Sequence, residues 1–369
     1  MVKILFTCPK LSTSGNFTSA MRIRAHLQAF GHHVDVCSIA DSLLLSPSSL
    51  HSYSIIFTIH AYKSTGLLKV ISEDTKLVLL FGGTDLNENM KCDEKRDSMK
   101  QVVDRCSQCV VFSQPLKELA CSAWPDIADK VSTIHQGIRT CPSESFGFRD
   151  YLRTTYSYTA QSKILLLVAG IRPVKDPLFL LEEFANSELA NTMSFVVIGP
   201  LADEDYRDKF FAGIQKLRQQ NVIYAGEMSM EDVHTAIQQS DCLVNSSTSE
   251  GMCAAILEAF DLQTPVIARE NAGNCYLVKH EVTGMLYKTA QEYVQCVKKL
   301  MNSHDLKLKL HLMRKIILCN HFHLKKKENC MANCLNSLSN RLILNYHFYN
   351  CSQSINFFTV LLQFNLILL

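Results

Sequence analysis

The sequence predicts an α/β protein made of two doubly wound domains, each built on a parallel sheet. Three observations carry this. The chain has 369 residues, more than one ordinary core accommodates. Short, nearly continuous apolar runs recur and end in Gly/Ser/Thr-rich loops, the mark of strands buried on both faces. A β-loop-α-β order opens the chain and returns at Asp241–Ala268, the unit from which parallel sheets are assembled.

Composition narrows the function. Charged residues make up 20% and the formal net charge is +2, so no charge field argues for a nucleic-acid partner. The 47% hydrophobic content fits a packed protein. The N-terminal MVKILFTCPK has too short an apolar run before Pro9 for a signal peptide and reads as a first strand. The fifteen cysteines are therefore expected to be reduced and the protein cytoplasmic. Asn16-Phe17-Thr18, Asn245-Ser246-Ser247 and Asn350-Cys351-Ser352 are then chance glycosylation matches.

In chain order, Lys3–Thr7 is a strand and Pro9–Phe17 a loop around Gly15. Gly15 is either a cleft-facing loop residue or a flexible turn. There is no GxGxxG, which argues against a nicotinamide-type site. Thr18–Phe30 has helical periodicity with Gly31 as its stop, and His32–Ser38 is the second strand. Ile55–Ile59 is a strand ending at His60, which faces a ligand crevice or is a hydrogen-bonded surface histidine. Leu77–Phe81 ends in Gly82-Gly83-Thr84-Asp85. Cys109–Ser113 is a strand whose last residue opens a helix toward Ala123. Val131–Ile134 closes the first domain, residues 1–140. Residues 141–162 lack a clear period and read as a linker with room for one helix.

The second domain spans 163–314. Lys163–Ala169 is its first strand, followed by the loop Gly170-Ile171-Arg172-Pro173-Val174-Lys175-Asp176-Pro177, whose cations suit a diphosphate. Phe195–Ile198 ends at Gly199-Pro200. Asp203-Glu204-Asp205 has the form of a metal-binding DxD, yet it precedes the helix-like Tyr206–Leu217, where acidic residues suit the positive helix end. We favour the helix start, and no metal is expected.

The informative stretch is Asp241–Ala268. Asp241–Asn245 is a strand, Ser246–Glu250 a polar loop, and Met252–Leu262 a helix stopped by Thr264-Pro265. Gly251 admits close backbone approach, and the helix N-terminus offers N–H groups to phosphate. Glu250 and Glu258 would lie about 12 Å apart were the segment helical throughout, so each carboxylate could meet one end of a diphosphate-linked ligand.

Glu250, seven residues, then Glu258, followed by Thr264-Pro265-Val266-Ile267-Ala268, resembles the donor-site signature of the group-1 retaining glycosyltransferases. Asn221–Gly226, Glu270–Asn274, Thr283–Leu286 and His135-Gln136-Gly137-Ile138 resemble further segments of that family, over roughly residues 1–300. The resemblance implies two Rossmann-like domains facing a cleft (GT-B type), an acceptor-side N-terminal domain and a donor domain. It implies a nucleotide-sugar donor as co-substrate, an unspecified acceptor and no other cofactor. Glu258, with Gly251, Met252, Cys253 and Gly170, would bind the donor; Glu250, Lys175 and Arg172 would be catalytic. Gly15, His60, Gly83 and Asp85 would face the cleft from the N-terminal domain. Two departures stand out. Gly82 occupies the position of a family histidine, and Arg172 lies only three residues before Lys175, with Gly170 at the usual arginine position. They keep a binding protein without turnover open as an alternative. A sugar-nucleotide epimerase or phosphorylase of the same architecture is a further one.

Other metal-like patterns are weak. Cys106-Ser107-Gln108-Cys109 is a single CxxC, read as buried thiols, and Cys319, His321, His323, Cys330 and Cys334 have irregular spacing for zinc. From about Lys315 the resemblance stops. Residues 315–369 read as an irregular, variant C-terminal tail, and apolar Ile355–Leu369 is too short for a membrane span, though it would adhere weakly to membranes.

Overall fold

The computed structural model describes residues 2–9, 15–156, 158, 162–217 and 221–321. It forms two compact units: Met1–Gly137, with which Glu250–Met252 group, and a second that begins at Ile138.

The first unit holds a six-stranded parallel sheet in the order β2-β1-β3-β4-β5-β6. Its strands are β1 (Lys3–Cys8), β2 (His33–Ser38), β3 (Ile55–Ile59), β4 (Lys76–Leu80), β5 (Gln108–Val111) and β6 (Val131–Thr133). The apolar runs are buried on both faces. Ile4, Phe6, Ile55, Phe57, Val78 and Leu80 pack on one side, and Leu5, Ile56, Leu77 and Leu79 on the other, as the two-residue period of a strand requires. The helices are α1 (Gly15–Ala29), the short α2 (Ile39–Ser42), α3 (Pro47–His51) and α4 (Gly83–Asn87), then α5 (Asp93–Arg105) and α6 (Gln114–Ala123). Gly31 follows α1 at φ 82°, the left-handed stop its sequence position implies. Helix α5 went unassigned in the sequence because it buries only Met99, Val102 and Val103 and otherwise presents charge to water.

The second unit repeats the architecture with a different strand order, β12-β11-β10-β7-β8-β9, again all parallel. Its strands are β7 (Lys163–Val168), β8 (Met193–Ile198), β9 (Val222–Tyr224), β10 (Cys242–Asn245), β11 (Val266–Arg269) and β12 (Met285–Tyr287). Before, between and after them run α7 (Phe148–Tyr156), α8 (Leu178–Asn186), α9 (Glu204–Leu217), α10 (Met230–Gln239), α11 (Ala254–Asp261), α12 (Ala272–Leu277), α13 (Ala290–Asn302) and α14 (His304–His321). Gly199 ends β8 at φ 146°. A Cβ there would fall 2.0 Å from the Ala169 carbonyl oxygen, so only glycine fits.

The structure bears on three of these readings. The segment 141–162, expected as a linker with room for one helix, carries one, α7, which buries Phe148 and Leu152. Arg149 fastens it by donating to the Gln239 carbonyl (3.1 Å), the Asp241 carboxylate (2.7 Å) and the Tyr158 hydroxyl (3.0 Å). The boundary expected at 314/315 falls inside α14, which no glycine or proline interrupts. The Asp203-Glu204-Asp205 stretch does open a helix: the Asp203 carboxylate accepts the Tyr206 N–H at 2.8 Å. The zinc-like side chains of Cys319, His321, His323, Cys330 and Cys334, and the tail beyond His321, lie outside the described residues. Among the described residues no helix is long and apolar enough to cross a membrane.

Candidate functional site

In an open parallel sheet, ligands settle beyond the carboxyl ends of the strands, where the strand order reverses. In the second unit that point lies between β7 and β10, which pair with Leu165 opposite Cys242 and Leu167 opposite Val244. The loop after β7 contains Gly170, Arg172 and Lys175. The loop after β10 leads through Ser246–Ser249 toward α11. Adjacent strands therefore deliver these two loops side by side.

Hydrogen bonds stitch them together. The Thr248 N–H donates to the Val174 carbonyl at 2.9 Å, and the Ser246 hydroxyl to the Lys175 carbonyl at 2.6 Å. Lys175 closes a short 3-10 turn from Pro173, and Asp176 follows in the left-handed region at φ 41°, where Asp is better tolerated than most residues. Arg269 holds that turn. It donates to Asp176 at 2.8 Å and to the Ser246 carbonyl at 3.3 Å, and its guanidinium lies 4.0 Å from the Phe179 ring centroid. Gly170, half-buried, is close enough to Ala202 that a Cβ would sit 3.3 Å from the alanine methyl.

Beneath the β10 loop is a buried amide network that the sequence reading missed. The Asn245 carboxamide oxygen accepts from the Ser247 N–H (3.2 Å) and from Asn274 Nδ2 (2.8 Å), and Asn245 Nδ2 donates to Cys253 Sγ (3.3 Å). Asn274 also donates to the Arg269 carbonyl, Asn271 to the Ser247 carbonyl, and the Tyr287 hydroxyl to the Asn245 carbonyl. Of the two carboxamides, Asn274 Oδ1 alone is buried without a hydrogen-bond partner; the remaining bonds hold the loop in one conformation. One signal was available: Asn271 sits three residues before Asn274 as the N-cap of α12. The segment Glu270–Asn274 is thus a capped helix start.

Helix α11 begins later than expected. Met252 lies outside it, and Cys253 is its extended N-cap at φ −74°, ψ 110°. The estimate of about 12 Å between Glu250 and Glu258 assumed helix rise throughout; since the first part of the span is loop, it does not hold. The α11 N-terminus carries no side-chain cap and no acidic residue in its first turn, which leaves its dipole for an anion. At the other end Gln263 turns left-handed (φ 66°), and the Thr264 hydroxyl donates to the Ile237 carbonyl at 2.7 Å. Glu258 sits in the second turn, 4% exposed, with His234 Nε2 of α10 at 4.0 Å from its Oε1. Glu250, Gly251 and Met252 lie on the connection between β10 and α11 and group with the first unit.

In the first unit the strand order reverses between β1 and β3. Gly15 is the exposed first residue of α1 and has no positive φ, so neither backbone nor packing demands glycine there; a Cβ would meet nothing within 4 Å. His60 is not at the surface. It is 5% exposed at the end of β3, left-handed at φ 84°, with Nδ1 2.7 Å from Asp85. Asp85 is wholly buried and accepts the N–H groups of Ala61 (2.7 Å), Tyr62 (3.2 Å) and Gly82 (3.0 Å). Its oxygens thus shape the turns after β3 and β4. Gly83 is the first residue of α4.

Cys106 and Cys109 are buried and not disulfide-bonded. Burial, and then Cys109 beside it, pushes the Cys106 thiol well up, which makes it a poor nucleophile.

Comparison with known proteins adds the last observation. The family profile described as glycosyl transferases, group 1, matches residues 155–313. The glycosyltransferase 1 domain-containing protein 1 of Xenopus tropicalis is 36% identical over 318 residues, covering 84% of this chain and 90% of that protein. Anabaena HepE, solved in complex with UDP-glucose, superposes with a TM-score of 0.74 at 17% identity, over 92% of this chain and all of that one. Sucrose-phosphate synthase from Thermosynechococcus elongatus gives 0.70 at 15% identity, over 92% and 99%.

Proposed function

The chain belongs to the group 1 glycosyltransferases, with the two-Rossmann-domain (GT-B) fold, and from that premise we propose that it moves a sugar from a nucleoside-diphosphate sugar to an acceptor, with retention of anomeric configuration. The supporting observation is the pairing of the β7 and β10 loops at the strand-order reversal, pinned by Thr248 on Val174 and Ser246 on Lys175. Lys175 and Arg172 then neutralise the diphosphate as it leaves. Backbone N–H groups at Gly251, Met252 and Cys253 add contacts to phosphate, and Gly170 leaves room for it. Glu258 holds the ribose hydroxyls and Glu250 those of the transferred sugar. The first unit, through the strand ends near Gly15, His60 and Gly83, serves the acceptor. Asp85 belongs to this set by architecture, since backbone and His60 occupy its oxygens.

Catalysis on this reading is electrostatic. Fixed positive charge placed where negative charge develops is worth about 3 kcal/mol per well-placed donor. Both loops are held by backbone and side-chain hydrogen bonds, so little reorganisation is needed when the leaving group departs. The reaction takes no metal, and the chain works in the cytoplasm; the Asp203 contact to Tyr206 N–H supports the first point by giving the DxD-like stretch a structural task.

A thermal-shift screen of the purified chain against UDP, GDP and ADP sugars and the free nucleotides tests the proposal. UDP sugars go first because HepE was solved with UDP-glucose. A ligand at a hundredfold excess over its Kd stabilises by about 2.7 kcal/mol, a readable shift. One base should give it, and Glu258→Ala should weaken that binding at least about tenfold, the scale of one hydrogen bond to a charged group. A cooperative melt with no shift from any nucleotide, or unchanged affinity in Glu258→Ala, refutes the assignment. Gly82 favours one second reading, a binding protein without turnover, because no side chain there supplies the family's histidine. Donor binding without product over long incubation selects it.

A further inference from the structure

Helix α10 is buried around more than a full turn, at Val233, His234, Thr235, Ala236 and Ile237. A histidine 2% exposed is costly unless both ring nitrogens are used. The Cys141 N–H donates to His234 Nδ1 at 3.0 Å, closer than the 3.4 Å to the Cys141 carbonyl. Nδ1 is therefore the acceptor, and the proton of the neutral ring sits on Nε2. That Nε2 is buried and makes no hydrogen bond. The carboxylate facing it is Glu258, 4% exposed, at 4.0 Å.

We propose that His234 is the positioning residue of the donor site: its Nε2–H aims the buried Glu258 carboxylate at the nucleotide ribose. This rests on the reading of Glu258 given above. The ring cannot swing freely, because its other nitrogen is clipped to residue 141. The segment around that residue is itself fastened to both helices. The Thr140 hydroxyl donates to Asp261, one turn beyond Glu258 on α11, and the Ser143 N–H donates to the Thr235 hydroxyl on α10 at 2.8 Å. A gap of 4.0 Å lies just outside hydrogen-bond range. It closes by about an ångström when the ligand's hydroxyls order the carboxylate, as site hydrogen bonds commonly tighten on occupancy. His234 thus orients the Glu258 carboxylate through the oxygen nearest its Nε2.

Two substitutions separate this from an anchoring role. His234→Asn keeps an acceptor where Nδ1 lies and deletes the Nε2 donor. His234→Gln keeps a donor near Nε2 and gives up the clip to Cys141. Titration calorimetry with UDP, GDP and ADP is run on the full chain, on both variants and on Glu258→Ala, with melting temperatures alongside. The expected pattern is about a five- to tenfold weaker Kd in His234→Asn, the range of one net hydrogen bond, with His234→Gln within about twofold of the parent. Should His234→Asn lose its cooperative melt, His234→Phe, a ring without a donor, takes its place with the same expectation. Parent-like binding in the donor-less variant, or equal loss in the asparagine and glutamine variants, overturns the role of His234 while the loss in Glu258→Ala leaves the donor site standing. If no nucleotide binds, or Glu258→Ala binds like the parent, the donor-site reading falls and this proposal with it.

Discussion

Replacing Asp85 by alanine should unfold the first unit well before it touches any ligand chemistry. The side chain is fully buried, accepts three backbone N–H groups and lies 2.7 Å from His60 Nδ1. Deleting it strands three donors. At about 1 kcal/mol each, the low end for a buried unsatisfied group, the loss is about 3 kcal/mol. That is a large share of the 5–15 kcal/mol typical of a domain. The chain's sole tryptophan, Trp124, reports on this unit alone: it is 5% exposed and stacks on Phe81, immediately before Gly82, at 6.0 Å. With a urea slope of about 2 kcal/mol per molar, the Trp124 fluorescence midpoint should fall by about 1.5 M. Asp85→Asn, which retains one acceptor oxygen, should lose roughly half as much. A midpoint within about 0.3 M of the parent, together with lost nucleotide binding, would refute the structural role and return Asp85 to the ligand.

Two other outcomes follow from the same geometry. Gly199→Ala should cost about 3 kcal/mol or more, from strain and a clash with Ala169 that backbone must relieve; a melting temperature within about 2 °C of the parent would contradict the close approach. In peptide mapping after brief alkylation at pH 8, the exposed Cys92 and Cys141 should label first, and the buried Cys106 and Cys242 last, since burial raises both thiols; early labelling of Cys242 would show that β10 is not held in the sheet.

The fold was legible because its strands announce themselves. Runs such as Ile164–Val168 and Ile55–Phe57 are apolar at every position, as burial on both faces requires. Helices were harder. α13 buries seven residues yet went unassigned, although Thr289 and Glu292 form a capping box that marks its start. α8 and α10 were passed over as well, and α10 carries the Ser229–Asp232 cap. At the site, the sequence pointed to the β7 and β10 loops but not to what holds them. Asn245 and Asn274 lie 29 positions apart and Arg269 and Asp176 93 apart, so no local pattern links them. His234 was invisible for the same reason: its meaning depends on residue 141 and on Glu258. The Gly82–Asp85 loop shows the opposite limit. Its motif was recognised, but whether Asp85 faces a ligand or its own backbone depends on the turn after β3.

The strand order of the second unit also sets a timetable. β7 reaches its neighbour β10 only after a long excursion, as the Ile164–Asp241 bond across 77 residues records. In the first unit β1 and β3 are joined by the Thr7–Thr58 bond across 51. During synthesis, which runs from the N-terminus and lets domains form as they emerge, β7, β8 and β9 can assemble while β10 is still unmade. β7 then presents an unpaired apolar edge of the kind that recruits other chains. Until Asn245 has been added, that edge of β7 is an aggregation-prone line on the nascent protein.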